Sequence, residues 1–192
     1  MKTKEKNVKR LWGIGLGASI LGLVASFVQA VQTISHYKNP ETPQFCDINS
    51  VFNCNSVFDA WQSSVFGFSN SLLCIVFFTV LLGITLVGFT GSTIAKSVRF
   101  FAHFLVLFFL GFGAWYLWSS TFVIAALCLY CIFCYTAVII LNAVWLRLNV
   151  QDLPAKSSLR NFIERAIEKN YDIMFWVLWG AGIAAMFVNK FV

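Results

Sequence analysis

Long apolar stretches alternate with short polar breaks along the whole chain, and that alternation defines the expected fold. Five stretches read as membrane-crossing helices: 11–34, 68–89, 100–119, 121–146 and 173–187. Most of them approach the roughly 20 residues that a helix needs to span a bilayer. All three prolines, Pro40, Pro43 and Pro154, fall in the breaks, as helix interiors demand. The first span is rich in glycine (Gly13, Gly15, Gly17, Gly22), which lets membrane helices approach closely. The third ends at Trp115, Tyr116 and Trp118, an aromatic belt of the kind found at membrane interfaces. Two breaks have internal pattern. In the loop 35–66, large apolar residues return after Phe45, so this segment is expected to lie on the bundle as a lid. After Pro154, apolar residues at 159, 162, 163, 166 and 167 follow helical spacing and predict a short interfacial helix.

Composition agrees with the pattern. The 192 residues are 59% hydrophobic and 11% charged, against about 25% charged in ordinary soluble domains. The expected class is an all-α polytopic membrane protein, a four-helix transmembrane bundle plus a fifth transmembrane helix. The net charge of +6 is topology and not a nucleic-acid footprint. Twelve of the 14 lysines and arginines fall in residues 1–10 and in the second and fourth connections. Only Lys38 and Lys190 lie on the other side. By the positive-inside rule the N-terminus is cytoplasmic and the C-terminus extracytoplasmic. The Val28-Gln29-Ala30 sequence has the small-x-small form of a leader-cleavage site, but the apolar run before it is too long for a leader.

That orientation gives the six cysteines a setting. Cys46 and Cys54 lie in the lid loop, and Cys128 and Cys131 form a C-x-x-C in the first turns expected of the fourth span. All four then sit at the oxidising face, where disulfides persist. A cysteine near a helix N-terminus is favoured as thiolate, the reactive form. Two neighbouring dithiols can relay an electron pair by thiol–disulfide exchange. No nucleotide fingerprint, haem motif or acidic metal cluster offers an acceptor, so a lipid-dissolved quinone is the candidate. Spacing alone leaves other readings open: two structural disulfides, or a zinc or cluster site at Cys128, Cys131 and Cys134.

Three motifs add a resemblance. Residues 46–58, CDINSVFNCNSVF, resemble the loop motif of the vitamin K epoxide reductase family. Residues 66–73, FGFSNSLL, resemble the start of that family's second helix, and Cys128-Leu129-Tyr130-Cys131 with Tyr135 resembles its active site. The likeness covers roughly residues 8–148. It implies that Cys46 and Cys54 take electrons from a reduced thiol partner and that Cys54 exchanges with Cys128. Cys131 would meet the quinone, with Asn70 and Tyr135 hydrogen-bonding its oxygens and Phe58 and Phe77 lining the pocket. The quinone would be of ubiquinone, menaquinone or vitamin K type, and no metal is expected. The implied domains are a cytoplasmic basic tail (1–10), a catalytic core (11–148) with its extracytoplasmic lid (35–66), a cytoplasmic linker (149–172) and the fifth span (173–192). The thiol partner is expected to be a separate thioredoxin-like carrier on the extracytoplasmic side of the cell membrane, and the activity to support disulfide formation. Reduction of vitamin K epoxide by a thiol donor, or a non-catalytic tetraspan-like protein, are the alternatives. One departure bears on the lid: the family often has a serine or threonine where this chain has Ala60, with Ser63 and Ser64 further on.

Overall fold

Five helices of the chain are long and apolar enough to cross a membrane, and the protein is an all-α polytopic membrane protein. The structure is a computed structural model that describes residues 2–41, 43–154 and 157–191, with side chains from residue 6 onward. The charges of Lys2, Lys4 and Lys156 counted above therefore lie outside the described side chains. The helices are α1 (Lys2–Lys38), α2 (Cys54–Asp59), α3 (Asn70–Phe89), α4 (Lys96–Ser119), α5 (Leu129–Asn149), α6 (Ser158–Glu168) and α7 (Tyr171–Phe191). Residues 2–10, within the segment expected as a basic tail, are helical and continue α1. Lysine and glutamate are good helix formers, and no proline or glycine interrupts them before Gly13.

Helix α1 is the spine. It packs along α3 on one side and α5 on the other, with α4 against the far side of α5 and α7 against its outer face. Glycine makes the first contact close: a Cβ at Gly22 would lie 2.2 Å from the Phe78 ring. Polar pairing adds specificity inside the bundle, where Asn142 on α5 donates to the Val106 carbonyl of α4 at 3.4 Å. Helices α3 and α4 approach differently, through rings. Phe77 and Phe109 stack with centroids 3.9 Å apart, so that seam is bridged by side chains and not by close backbone packing.

The lid is fixed to the bundle by polar contacts. Tyr37 donates to the Phe58 carbonyl at 3.0 Å, and His36 Nε2 lies 2.8 Å from Asp59. Both bonds join the last turn of α1 to α2. The Ser63 hydroxyl reaches the carbonyls of Phe58 and Ala60 at 2.8 and 2.7 Å, so a serine ties the lid even though position 60 carries none. Asp47 accepts the N–H groups of Cys54 and Asn55 at 2.8 and 3.2 Å, and Asn53 caps α2 through Ser56 N–H. Trp61 is exposed on the lid's outer side.

The fourth span departs from expectation at its start. Helix α4 runs into a wide turn over Ser120–Ile124, and the chain then breaks at Ala125, whose φ is +58°. Helix α5 begins only at Leu129, with Cys128 as its N-cap. The C-x-x-C therefore straddles the helix N-terminus and does not lie inside a helix begun at 121.

At the opposite end of the bundle, Arg147 on α5 grips Asp172 in the first turn of α7 with two bonds, of 2.6 and 2.8 Å. The Asp172 carboxylate is 3% exposed. Stripping a buried charge of its partner costs about 3–5 kcal/mol, whereas replacing both partners with apolar groups is far milder. Arg147→Ala is therefore expected to destabilise the protein by about 3 kcal/mol and Arg147→Met with Asp172→Leu by much less, as measured by detergent-denaturation midpoints.

Candidate functional site

The lid and the C-x-x-C meet through a single isolated parallel bridge between Phe52 and Leu127. Leu127 N–H donates to the Val51 carbonyl at 2.7 Å, and Asn53 N–H donates to the Leu127 carbonyl at 3.2 Å. On the other side, Ala126 N–H donates to the Ser120 carbonyl and the Ser120 hydroxyl back to the Ala126 carbonyl. The segment between the turn and α5 is thus held on both sides. Because Leu127 is fixed against residues 51–53, the next residue of each strand of chain, Cys54 and Cys128, comes into register.

Cys46 and Cys54 form a disulfide with Cα atoms 5.8 Å apart, while Cys128 and Cys131 are free thiols. Cys128 Sγ lies 3.5 Å from Cys54 Sγ, in van der Waals contact. Both sulfurs are buried, in an apolar cluster with Cys46, Val57, Phe58 and Tyr116. Burial pushes the Cys128 thiol up, but hydrogen bonds from the Cys131 thiol and from the N–H groups of Cys131 and Tyr130 outweigh it, and the thiol sits below its usual range. This is the stabilisation expected of a sulfur at a helix N-cap.

Helix α1 lines the C-x-x-C with one polar face. Gln29 donates through Nε2 to Cys131 Sγ at 3.3 Å, and Gln32 to the Tyr130 hydroxyl at 2.7 Å. Beneath Cys131 is a small, mostly apolar cavity of about 60 Å³ between α1, α3, α4 and α5. Asn70, Tyr116, Cys131 and Tyr135 all border it. Asn70 donates to the Gln62 carbonyl at 2.7 Å, which leaves its Oδ1 buried without a partner. The Tyr116 hydroxyl is likewise buried and unpaired. Two orphaned polar atoms in an apolar chamber are costly unless something satisfies them. Tyr116 offers a donor for a carbonyl and Asn70 an acceptor for a hydroxyl, the two kinds of oxygen that a quinone and its quinol present.

Of the residues singled out from sequence, Cys46, Cys54, Cys128 and Cys131 come together, and Asn70 and Tyr135 border the same cavity. Phe58 and Phe77 do not line it; Phe58 shares the cluster of Tyr116, and Phe77 reaches the wall through Phe109. Phe78 is the lining phenylalanine of α3. Cys74 and Cys134 are wall residues, and the Cys134 thiol donates to the Gly22 carbonyl at 3.7 Å. Among the described residues no three His, Cys, Asp or Glu side chains converge as metal ligands would. Gln29 and Tyr116 are not singled out by the sequence pattern. Gln29 sits inside a leader-like tripeptide, although Gln29, Gln32 and His36 at helical spacing mark a polar face on an apolar helix. Tyr116, grouped with the outward belt, points inward at 7% exposure, while Trp115 and Trp118 are 38% and 50% exposed.

A pH titration tests the electrostatics. The thiolate absorbance lost on Cys128→Ala is expected to rise at a lower pH than for an ordinary thiol, because the folded protein favours the deprotonated form. In Cys131→Ala the donor is gone, and that component is expected to move up in pH. An unchanged titration would remove the Cys131 contact as its cause.

No curated protein matches the chain at a significant level. A family model does match, over residues 14–146 and so over more than half the chain; it spans both dithiols and every helix that borders the cavity. The chain belongs to the Vitamin K epoxide reductase family.

Proposed function

We propose that the protein is a quinone-linked thiol oxidoreductase that draws electrons from a reduced thioredoxin-like dithiol and supports disulfide formation. Membership of the family supports membrane redox function in general. What carries the finer reading is the 3.5 Å approach of Cys54 to Cys128 directly above the cavity at Cys131. Charge distribution adds the orientation: the lid faces the extracytoplasmic side and the N-terminus the cytoplasm. We take the catalytic core as residues 11–148 and its lid as residues 35–66.

The steps balance as two-electron exchanges. The partner's dithiol reduces the Cys46–Cys54 disulfide and is itself oxidised. The Cys54 thiolate then attacks Cys128 of a Cys128–Cys131 disulfide, forming a Cys54–Cys128 bond and releasing Cys131. Cys46 attacks Cys54, the mixed disulfide breaks, and Cys128 leaves as a thiolate. The structure corresponds to the outcome of that step, with the loop pair oxidised and the C-x-x-C reduced. The raised acidity of the Cys128 thiol suits this role, because a more acidic thiol leaves faster. Cys131 then faces the cavity, where Asn70, Tyr116 and Tyr135 would hold a quinone. A quinone bound there would take two electrons and two protons from the Cys128–Cys131 dithiol, which would return to its disulfide. Gln29 holds the Cys131 sulfur in place, and the apolar wall excludes water. The ring-bridged seam between α3 and α4 is the way in from the lipid.

Two experiments test this. Under mild oxidation, Cys46→Ser with Cys131→Ser is expected to accumulate a Cys54–Cys128 disulfide, seen by peptide mass spectrometry. Cys54→Ser with Cys131→Ser is expected to yield little Cys46–Cys128 bond; equal yields would remove Cys54 as the hand-off residue. Purified protein given a reduced thioredoxin-like dithiol and ubiquinone or menaquinone should form quinol, followed by quinone absorbance. Cys131→Ser should abolish it. Quinol formation with no donor at all, or none from any donor, would defeat the reading.

A further inference from the structure

Tyr135 is held from two sides, and one of them is the fifth helix. On α4, a Cβ at Gly113 would lie 2.5 Å from Cδ2 of the Tyr135 ring, so the ring packs on the bare backbone there. On α7, Trp179 donates through Nε1 to the Tyr135 hydroxyl oxygen at 2.8 Å. Trp179 lies beyond residues 14–146, the part of the chain that the family model matches. Hydropathy marks α7 only as a fifth transmembrane helix. The indole N–H of Trp179 is a polar group that an apolar pattern does not reveal.

The contact has a chemical consequence. A phenol oxygen that accepts a hydrogen bond keeps its own hydrogen to donate, and a donor with an occupied lone pair is a stronger donor. Among the described residues the Tyr135 O–H has no acceptor, while the side chain borders the cavity beside Cys131. We propose that the fifth helix completes the quinone-binding site: Trp179 is a positioning residue that holds the Tyr135 hydroxyl so that its hydrogen is donated to a ligand oxygen in the cavity. The inference rests on the quinone reading above and deepens it. Trp179 is 38% exposed on the outer surface, so it acts through Tyr135 and does not border the cavity itself.

Full-length protein in nanodiscs, assayed with menaquinone and a reduced dithiol, provides the test, with Trp179→Phe retaining an aromatic ring while removing the N–H. KM for the quinone is expected to rise about tenfold, the size of one neutral hydrogen bond, with Leu178→Ala on the same helix unchanged. Combined with Tyr135→Phe, the Trp179 substitution should add nothing further, since both remove one coupled unit. A second readout needs no turnover. In ligand-free protein with isotope-labelled tyrosine, the infrared C–O band assigned to Tyr135 by its loss in Tyr135→Phe should shift in Trp179→Phe. Should Trp179→Phe not accumulate, Trp179→His keeps a donor and must keep both the band and KM near wild type. An active wild type with Trp179→Phe unchanged in KM and in the band, or effects that multiply fully with Tyr135→Phe, overturns the inference and leaves the relay standing. A wild type that reduces no quinone overturns the relay, and with it the donation from Tyr135, even if the infrared shift still reports the indole contact.

Discussion

In a molecule made of helices, the contact on which the site depends is one short piece of strand pairing. Val51, Asn53 and Leu127 exchange two backbone hydrogen bonds, and nothing else described joins the lid backbone to the residues just before α5. Each cysteine of the hand-off pair follows directly from that bridge, Cys54 one residue after Asn53 and Cys128 one residue after Leu127. A shift of one residue in such a pairing would turn side chains to the opposite face and separate the sulfurs. The bridge survives because its Leu127 side is buried, where an unpaired peptide group would be costly, and because Ser120 secures the same segment from behind.

The helical scaffold serves this small feature. Helix α1 ties down the lid with its last turn and supports Cys131 and Tyr130 with Gln29 and Gln32 two turns earlier. Helix α5 begins where the bridge ends, so its positive N-terminus meets Cys128. The loosest seam, between α3 and α4, closes over the cavity with aromatic rings. Close packing is thus concentrated along α1, while the side that faces the cavity is left to side chains that can shift.

Much of this was legible in the sequence, and the rest was not, for physical reasons. The spans were readable because a bilayer imposes length and apolarity on every segment that crosses it. The cysteines were readable because residue type and spacing carry their chemistry, whereas Asn70 and Tyr135 stood out only through the resemblance to the family. The start of α5 was not, because the break falls on Ala125 and alanine carries no turn signal; its positive φ is set by the pairing of Leu127 with a segment more than 70 residues earlier in the chain. Tyr116 and Trp179 were ordinary interfacial aromatics until the packing of α4 and α7 showed what each hydroxyl or indole N–H meets. Phe77 and Phe78 are neighbours in sequence, and only the rotation of α3 decides which of them reaches the cavity wall.

The burial of the sulfurs has a consequence for timing. Cys46, Cys54 and Cys128 are 1%, 0% and 1% exposed, so in this arrangement small dissolved thiols are shut out of the hand-off. The same closure shuts out a protein partner. For an outside dithiol to reach Cys46, the segment around Asp47 must lift, and Asp47 is the residue that holds the N–H groups of Cys54 and Asn55. In the proposed relay, loading the loop pair and passing its electrons inward would therefore require different positions of the same few residues. The two events would alternate, and that alternation would keep the electron pair from leaking back to the aqueous side.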